Sequence, residues 1–302
     1  MAHDHPQAAV ISGDIGTAFK WAVVLNVTYV IIEAISGFAI SSLALLADAA
    51  HNLTDVAGLL LAWGAAVAAK RPPSERFTYG LGRSTILAAL ANALAILAGV
   101  GAVAWEAVHR FSEPVAIQAL PVLAVAMIGI AINAGTAFLF RKERQHDLNA
   151  EGAFLHMAAD AAVSSGVVFA ATGMLVTGWT WLDPLAAILV SLVIGWTSYG
   201  LLKTSFGLSL DGVPRSIDRR AVETWLGQQS GVSSVHDVHI WSLSTTKVAL
   251  TAHIVMPGGH PGDGFLDETA EELEHEFGIA HTTLQIETGD GDNCRLAPSD
   301  IV

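Results

Sequence analysis

Cysteine is nearly missing from these 302 residues, Cys294 being the only one. A chain with one cysteine builds no intrachain disulfide framework and no zinc site of the all-cysteine kind. Charge is scarce as well. Asp, Glu, Lys and Arg make up 14% of the residues, against about a quarter in an average soluble domain. Hydrophobic residues reach 52%, and mean hydropathy is +0.51. These proportions favour a membrane protein over a soluble one. Basic residues are the rarer sign: the formal net charge is -13, and from Ser205 onward 15 acidic residues stand against 5 basic ones. An acidic tail argues against nucleic acid as a partner and suits the handling of cations. Met1 to Ser12, MAHDHPQAAVIS, is polar, so no cleavable signal peptide is expected. Nor is there an HExxH motif, the usual mark of a zinc hydrolase.

What the chain does have is long apolar runs. Stretches of about 18 or more mostly apolar residues mark membrane helices, and six are found, near 18–38, 43–69, 84–108, 116–140, 152–176 and 182–203. Lys70, Arg71, Arg76 and Arg83 lie between the second and third, and Arg141, Lys142 and Arg144 between the fourth and fifth. Lys20 and Lys203 flank the set, and Arg110 alone falls on the other side. The positive-inside rule then places both termini and both basic loops in the cytoplasm. Trp105, Trp179 and Trp181 sit where interfacial aromatics belong. Asp183-Pro184 reads as the start of the sixth helix, with Asp as cap and Pro in the first turn.

After Lys203 the pattern changes. Ser216 to Gln229 is an amphipathic helix, Val232 to Leu243 and Lys247 to Met256 alternate as strands, Asp263 to Phe277 is an acidic helix and Thr282 to Glu287 a third strand. The expected fold is therefore an α-helical membrane protein with six transmembrane helices and a cytosolic α+β domain of αββαβ order, ferredoxin-like or metallochaperone-like. Expected boundaries are a cytosolic segment over 1–17, the membrane domain over 18–204, the tail domain over 205–288 and a flexible tail over 289–302.

Ionisable groups inside the apolar runs need a reason, because a charge at the bilayer midplane costs roughly 2.5–3.5 kcal/mol even on lenient scales. In the second run, LLADAAHNLTDVAGLLL, His51 and Asp55 are one helical turn apart on one face. The fifth run repeats the spacing with His156 and Asp160. Two imidazoles and two carboxylates on two helices make a tetrahedral site suited to Zn²⁺, whereas Ca²⁺ and Mg²⁺ take oxygens alone. Asp48, three residues before His51, is open to several readings: a carboxylate orienting that imidazole, a proton acceptor, a residue on the ion's route in, or a structural group. Asn26 and Asn52 read as interhelical hydrogen-bonders. Glu33 and Glu106 are placed near helix ends, reaching the interface or pairing with Arg83 or Arg110. In the tail, strand alternation puts His236 with Val238 on one face and Asp237 with His239 on the other. His236, His253, His281 and Glu287 are either polar residues at a sheet edge or metal ligands.

With these residues in view, the chain resembles the cation diffusion facilitator family, in its zinc-transporting branch. The motifs are LADAAHNLTD, RFTYGLGRSTILAALANAL, HMAADAAVSSGVV, WLDPLAAILVSLVI, SVHDVHIWSL and HTTLQIE, in order along nearly the whole chain. The resemblance implies a homodimer whose tail domains meet in the cytosol; the compactness of the chain, bacterial in character, places it in the inner (plasma) membrane. Its expected activity is export of Zn²⁺ in exchange for protons, with Cd²⁺, Co²⁺ and Ni²⁺ as further candidate cargo, and no enzymatic activity. It carries a transport site onto His51, Asp55, His156 and Asp160, and a cytosolic zinc site onto His236, His253, His281 and Glu287. In some relatives His or Cys from the amino-terminal segment completes the latter; His3, His5 and Cys294 are the candidates here. The chain departs from some relatives in lacking a His-rich loop, since Arg141 to Ala150 holds only His146, and Lys70 to Arg83 holds no histidine. The rival reading is a membrane-anchored metal sensor that signals through its tail domain. A four-ligand site is closed, which suits carriage better than hydrolysis.

Overall fold

The computed structural model describes residues 13–113, 115–140 and 148–289, with 294 and 296. Six long helices come first: α1 (Gly13–Ala39), α2 (Leu43–Ala69), α3 (Ser84–Ser112), α4 (Ala119–Phe140), α5 (Leu148–Thr177) and α6 (Leu182–Ser209). Five of them carry described stretches long and apolar enough to cross a bilayer, and α1 adds the apolar stretch Val24–Ala39. Helices are what such sequences must form, since no water satisfies a backbone N–H or C=O in hydrocarbon. Phe38, Phe169 and Trp196 expose 81%, 78% and 82% of their surface, large apolar surface that suits contact with lipid.

The chain divides into two compact units, residues 1–57 with 95–198, and residues 58–94 with 199–302. In the first, α4 packs along α5 and against α1. Small side chains let the helices close in. Ala44 and Leu45 of α2 meet Val122, Ala126, Val167 and Ala171 of α4 and α5. A Cβ at Gly129 would strike the Tyr29 hydroxyl, so α1 and α4 approach as closely as they do only with glycine there. Asp183 departs from its expected role. Instead of capping α6, it lies in that helix's first turn and accepts hydrogen bonds from Ser42 Oγ and from the N–H of Leu43 at 2.8 Å. It satisfies donors at the start of α2, a cap supplied from another helix.

The second unit joins the 70–83 loop and its flanking helix ends to the tail domain. The Thr245 N–H donates to Thr85 Oγ1 at 3.0 Å, Arg83 pairs with Asp211, and the Tyr79 ring meets His281 edge-on at 5.4 Å. The tail domain itself runs α7 (Arg219–Gly227), β1 (Ser234–Ser242), β2 (Val248–Val255), α8 (Asp263–Phe277) and β3 (His281–Glu287), the expected αββαβ order. Asp218 caps α7 by accepting the Arg220 N–H at 2.9 Å. α8 ends on Gly278, whose φ of 70° closes the helix in the left-handed conformation that glycine permits. The sheet order is β1-β2-β3, with β1 antiparallel and β3 parallel to the central β2. Val222 and Leu226 of α7 and Leu273 of α8 cover one sheet face through Ile240, Leu250 and Ile254. That leaves the histidines on the other face.

Candidate metal sites

In the membrane unit, α2 and α5 bring His51 and Asp160 together: His51 Nε2 lies 3.7 Å from Asp160 Oδ1, with Asp160 3% exposed. Zinc bonds of about 2.0–2.2 Å to nitrogen and oxygen put two tetrahedral ligand atoms about 3.4 Å apart. The observed separation is close to that. On the same two helices, Asp55 lies one turn after His51 and His156 one turn before Asp160. The side chains of Asp55 and His156 lie outside the described residues.

Around this pair is a buried polar network. Asp48 is 1% exposed and accepts a hydrogen bond from Ser164 Oγ of α5 at 2.9 Å. Glu33 is fully buried in α1, against the expectation that it reaches an interface. Its Oε1 accepts the Tyr29 hydroxyl at 2.7 Å, and its Oε2 lies 3.5 Å from Asn52 Nδ2. Glu106, by contrast, pairs with Arg110 at 3.2 Å. The apolar pattern of α1 conceals the role of Glu33. The spacing of Tyr29 and Glu33, one turn apart on a helix that faces α2, was the available signal.

The tail domain brings a different set together. His236, His253, Glu287 and Cys294 each offer one ligand atom, all within 4.8 Å of one another. His253 Nδ1 is 3.0 Å from Glu287 Oε1 and 3.5 Å from Cys294 Sγ, and His236 Nε2 is 3.5 Å from the same Glu287 oxygen. His236 Nε2 is buried and makes no hydrogen bond among the described residues. Such a nitrogen fits an ion. His281 is not part of the cluster: it pairs with Ala249 at the opposite end of β3, while Glu287 pairs with Val255. His3 and His5, the other candidates to complete the site, lie outside the described residues, as does His146.

A β-bulge makes this cluster. His236 faces His253 and His239 faces Thr251, so β1 carries one residue more than β2 between these pairs. Asp237 absorbs it with a φ of 50°. Simple alternation therefore fails here: the bulge returns His236 and His239 to the same face and sends Val235 and Val238 to the core. It also aims Asp237 at both neighbours, 2.9 Å from His239 Nε2 and 3.4 Å from His253 Nε2. A carboxylate on the far nitrogen turns the other nitrogen of His253 towards Glu287 and Cys294. Burial raises the Glu287 carboxyl, but the Cys294 hydrogen bond, the His236 charge, Gln285 and His253 together hold it below the usual carboxylate range. The reciprocal bond to Glu287 is the main cause that pushes the Cys294 thiol up.

Apolar helices enclosing one nitrogen-and-oxygen pair, together with a small domain that carries a second ligand cluster, define a membrane protein that handles metal cations. Two family models match: the cation efflux transmembrane domain over residues 20–208 and the cation efflux protein cytoplasmic domain over residues 214–289. The chain belongs to the cation efflux family, the cation diffusion facilitators. It is 36% identical over 287 residues to the metal cation efflux system protein CzcD of Cupriavidus metallidurans, covering 95% of this chain and 89% of the relative. With the zinc transporter ZitB of Escherichia coli it shares 34% identity over 302 residues, 98% of this chain and 96% of the relative. A cadmium, cobalt and zinc/H(+)-K(+) antiporter of Bacillus subtilis is 35% identical over 265 residues, 86% of this chain and 85% of that protein. Within the family the likeness is thus to the zinc-transporting branch.

Proposed function

We propose that this protein exports divalent metal cations, chiefly Zn²⁺, from the cytosol in exchange for protons. His51, Asp55, His156 and Asp160 hold the ion, and the observation that carries the reading is the 3.7 Å approach of His51 to Asp160 across α2 and α5. Nothing in a lipid-embedded scaffold requires an imidazole and a carboxylate to meet between its helices. Relatives named for zinc, or for cadmium, cobalt and zinc together, support the cargo class. The working form is a homodimer in the inner membrane with both termini in the cytoplasm, residues 18–204 forming the membrane domain and 205–288 the tail domain.

The ligand chemistry supplies the exchange. Facing a near-neutral cytosol, the imidazoles lose protons and bind Zn²⁺; facing outward, protons compete for the same lone pairs and the ion leaves. Two packings of the helices alternate access to the site. His236, His253 and Glu287, with Cys294 as fourth ligand, form a regulatory zinc site, which biases the equilibrium by binding one packing more tightly than the other.

Zinc tolerance of cells lacking their own exporters separates this reading from a membrane-anchored sensor. The transporter reading expects Asp160→Ala to abolish tolerance and His253→Ala to reduce it only in part. Tolerance that survives Asp160→Ala but is lost in His253→Ala would establish the sensor instead.

A further inference from the structure

Glu33 has no part in metal ligation, yet it is an acid with 0% exposure in the middle of the membrane unit. Three elements face it. Tyr29 on its own helix donates to it, Asn52 and Asp48 approach from α2, and Ser164 of α5 donates to Asp48 Oδ2. His51 and Asp160 act on Asp48 through their charge. No Lys or Arg pairs with either carboxyl among the described residues; Arg83, Arg110 and Arg219 pair with Asp211, Glu106 and Glu223.

Glu33 and Asp48 are themselves within hydrogen-bonding reach of each other. Two carboxylates cannot make that bond, because both only accept; a carboxylic acid and a carboxylate can. One atom marks the missing hydrogen. Asp48 Oδ1 is buried and has no donor among the described residues, while Asp48 Oδ2 is satisfied by Ser164. A proton on Glu33 directed at Asp48 supplies that donor and leaves one negative charge in the pair instead of two.

We infer that Glu33 and Asp48 form a proton-binding site beside the metal, holding one proton while the transport site is empty and releasing it when Zn²⁺ binds. This rests on the assignment of the transported ion to His51, Asp55, His156 and Asp160. Asp48 stands one turn from His51 on α2, so an arriving dication favours both carboxyls in their ionised form. The O–H bond of Glu33 then breaks, its electron pair stays on the carboxylate, and the proton passes to water. When the metal departs the pair takes a proton back. Exchange thereby gains one proton per cycle beyond those displaced from the ligands themselves.

Infrared difference spectroscopy of the full-length chain, in a His253→Ala background that silences the tail cluster, reads this proton directly. Adding zinc should remove a carboxylic-acid C=O band that shifts in D₂O. Glu33→Gln should lack the band before any zinc is added, and Asp48→Asn should move or remove it. The metal-free spectra make the assignment even where a variant fails to bind zinc. A metal-free spectrum of the His253→Ala protein with no such band, or a band left unchanged by both substitutions, would overturn the inference. If the His253→Ala protein binds no zinc but keeps a Glu33-dependent band, the transport-site assignment fails and the protonated pair stands.

Discussion

At the residue scale the tail cluster sets one sulfur beside two imidazoles and a carboxylate. Cys294 donates to Glu287, and that bond keeps its thiol above the ordinary range. The thiol is therefore protonated in the metal-free protein, and sulfur ligates only after losing that proton. Affinity must rise with pH below the thiol's folded value, because each bound ion expels one more proton. Replacing Cys294 by Ser should flatten the dependence by about one log unit of affinity per pH unit. Competition with a chromophoric chelator on either side of neutrality measures it, and an unchanged slope would remove Cys294 from the ligand set.

Single residues also mark the limits of reading this sequence. The His51 and Asp55 spacing and its repeat at His156 and Asp160 were legible, because a charged face on an apolar helix stands out against its surroundings. Glu33 was not. Its burial depends on Tyr29, Asn52 and Asp48 converging from two helices, and along α1 only the Tyr29–Glu33 spacing carries any sign of it.

Among the elements, the helices and strands followed from periodicity almost to their ends, since a run that must satisfy its own backbone in lipid has few alternatives. Two local departures escaped it, and both concern where a carboxylate points. Asp183 looks like the cap of its own helix yet serves α2, a choice made by tertiary packing. Asp237 looks like an ordinary strand residue yet absorbs a bulge. That bulge orients His253 through its far nitrogen at 3.4 Å. Removing the charge while keeping the shape, with Asp237→Asn, should weaken metal binding at the tail cluster by about 10–100-fold, as outer carboxylates on ligating histidines generally do. Titration against a chelator checks this, with thermal unfolding as the control for the domain's stability. Unaltered affinity would mean that the sheet alone sets the imidazole.

For the molecule as a whole, the composition already excluded most alternatives: too few cysteines for a disulfide scaffold, too little charge for a soluble domain of this size, too acidic a tail for nucleic acid. The family matches then cover both the membrane helices and the tail domain. What links them physically is metal chemistry repeated in two environments, a nitrogen-and-oxygen pair within the helices and a nitrogen, oxygen and sulfur cluster on the sheet.

The central claim is that zinc crosses at the α2–α5 pair and protons cross the other way. Zinc flux and internal pH followed together in proteoliposomes, with the native chain or Asp160→Ala and with or without an imposed proton gradient, test it most directly. The account predicts zinc movement coupled to opposite proton movement in the native protein and neither in Asp160→Ala. Flux without proton movement, or equal flux in the variant, would contradict it.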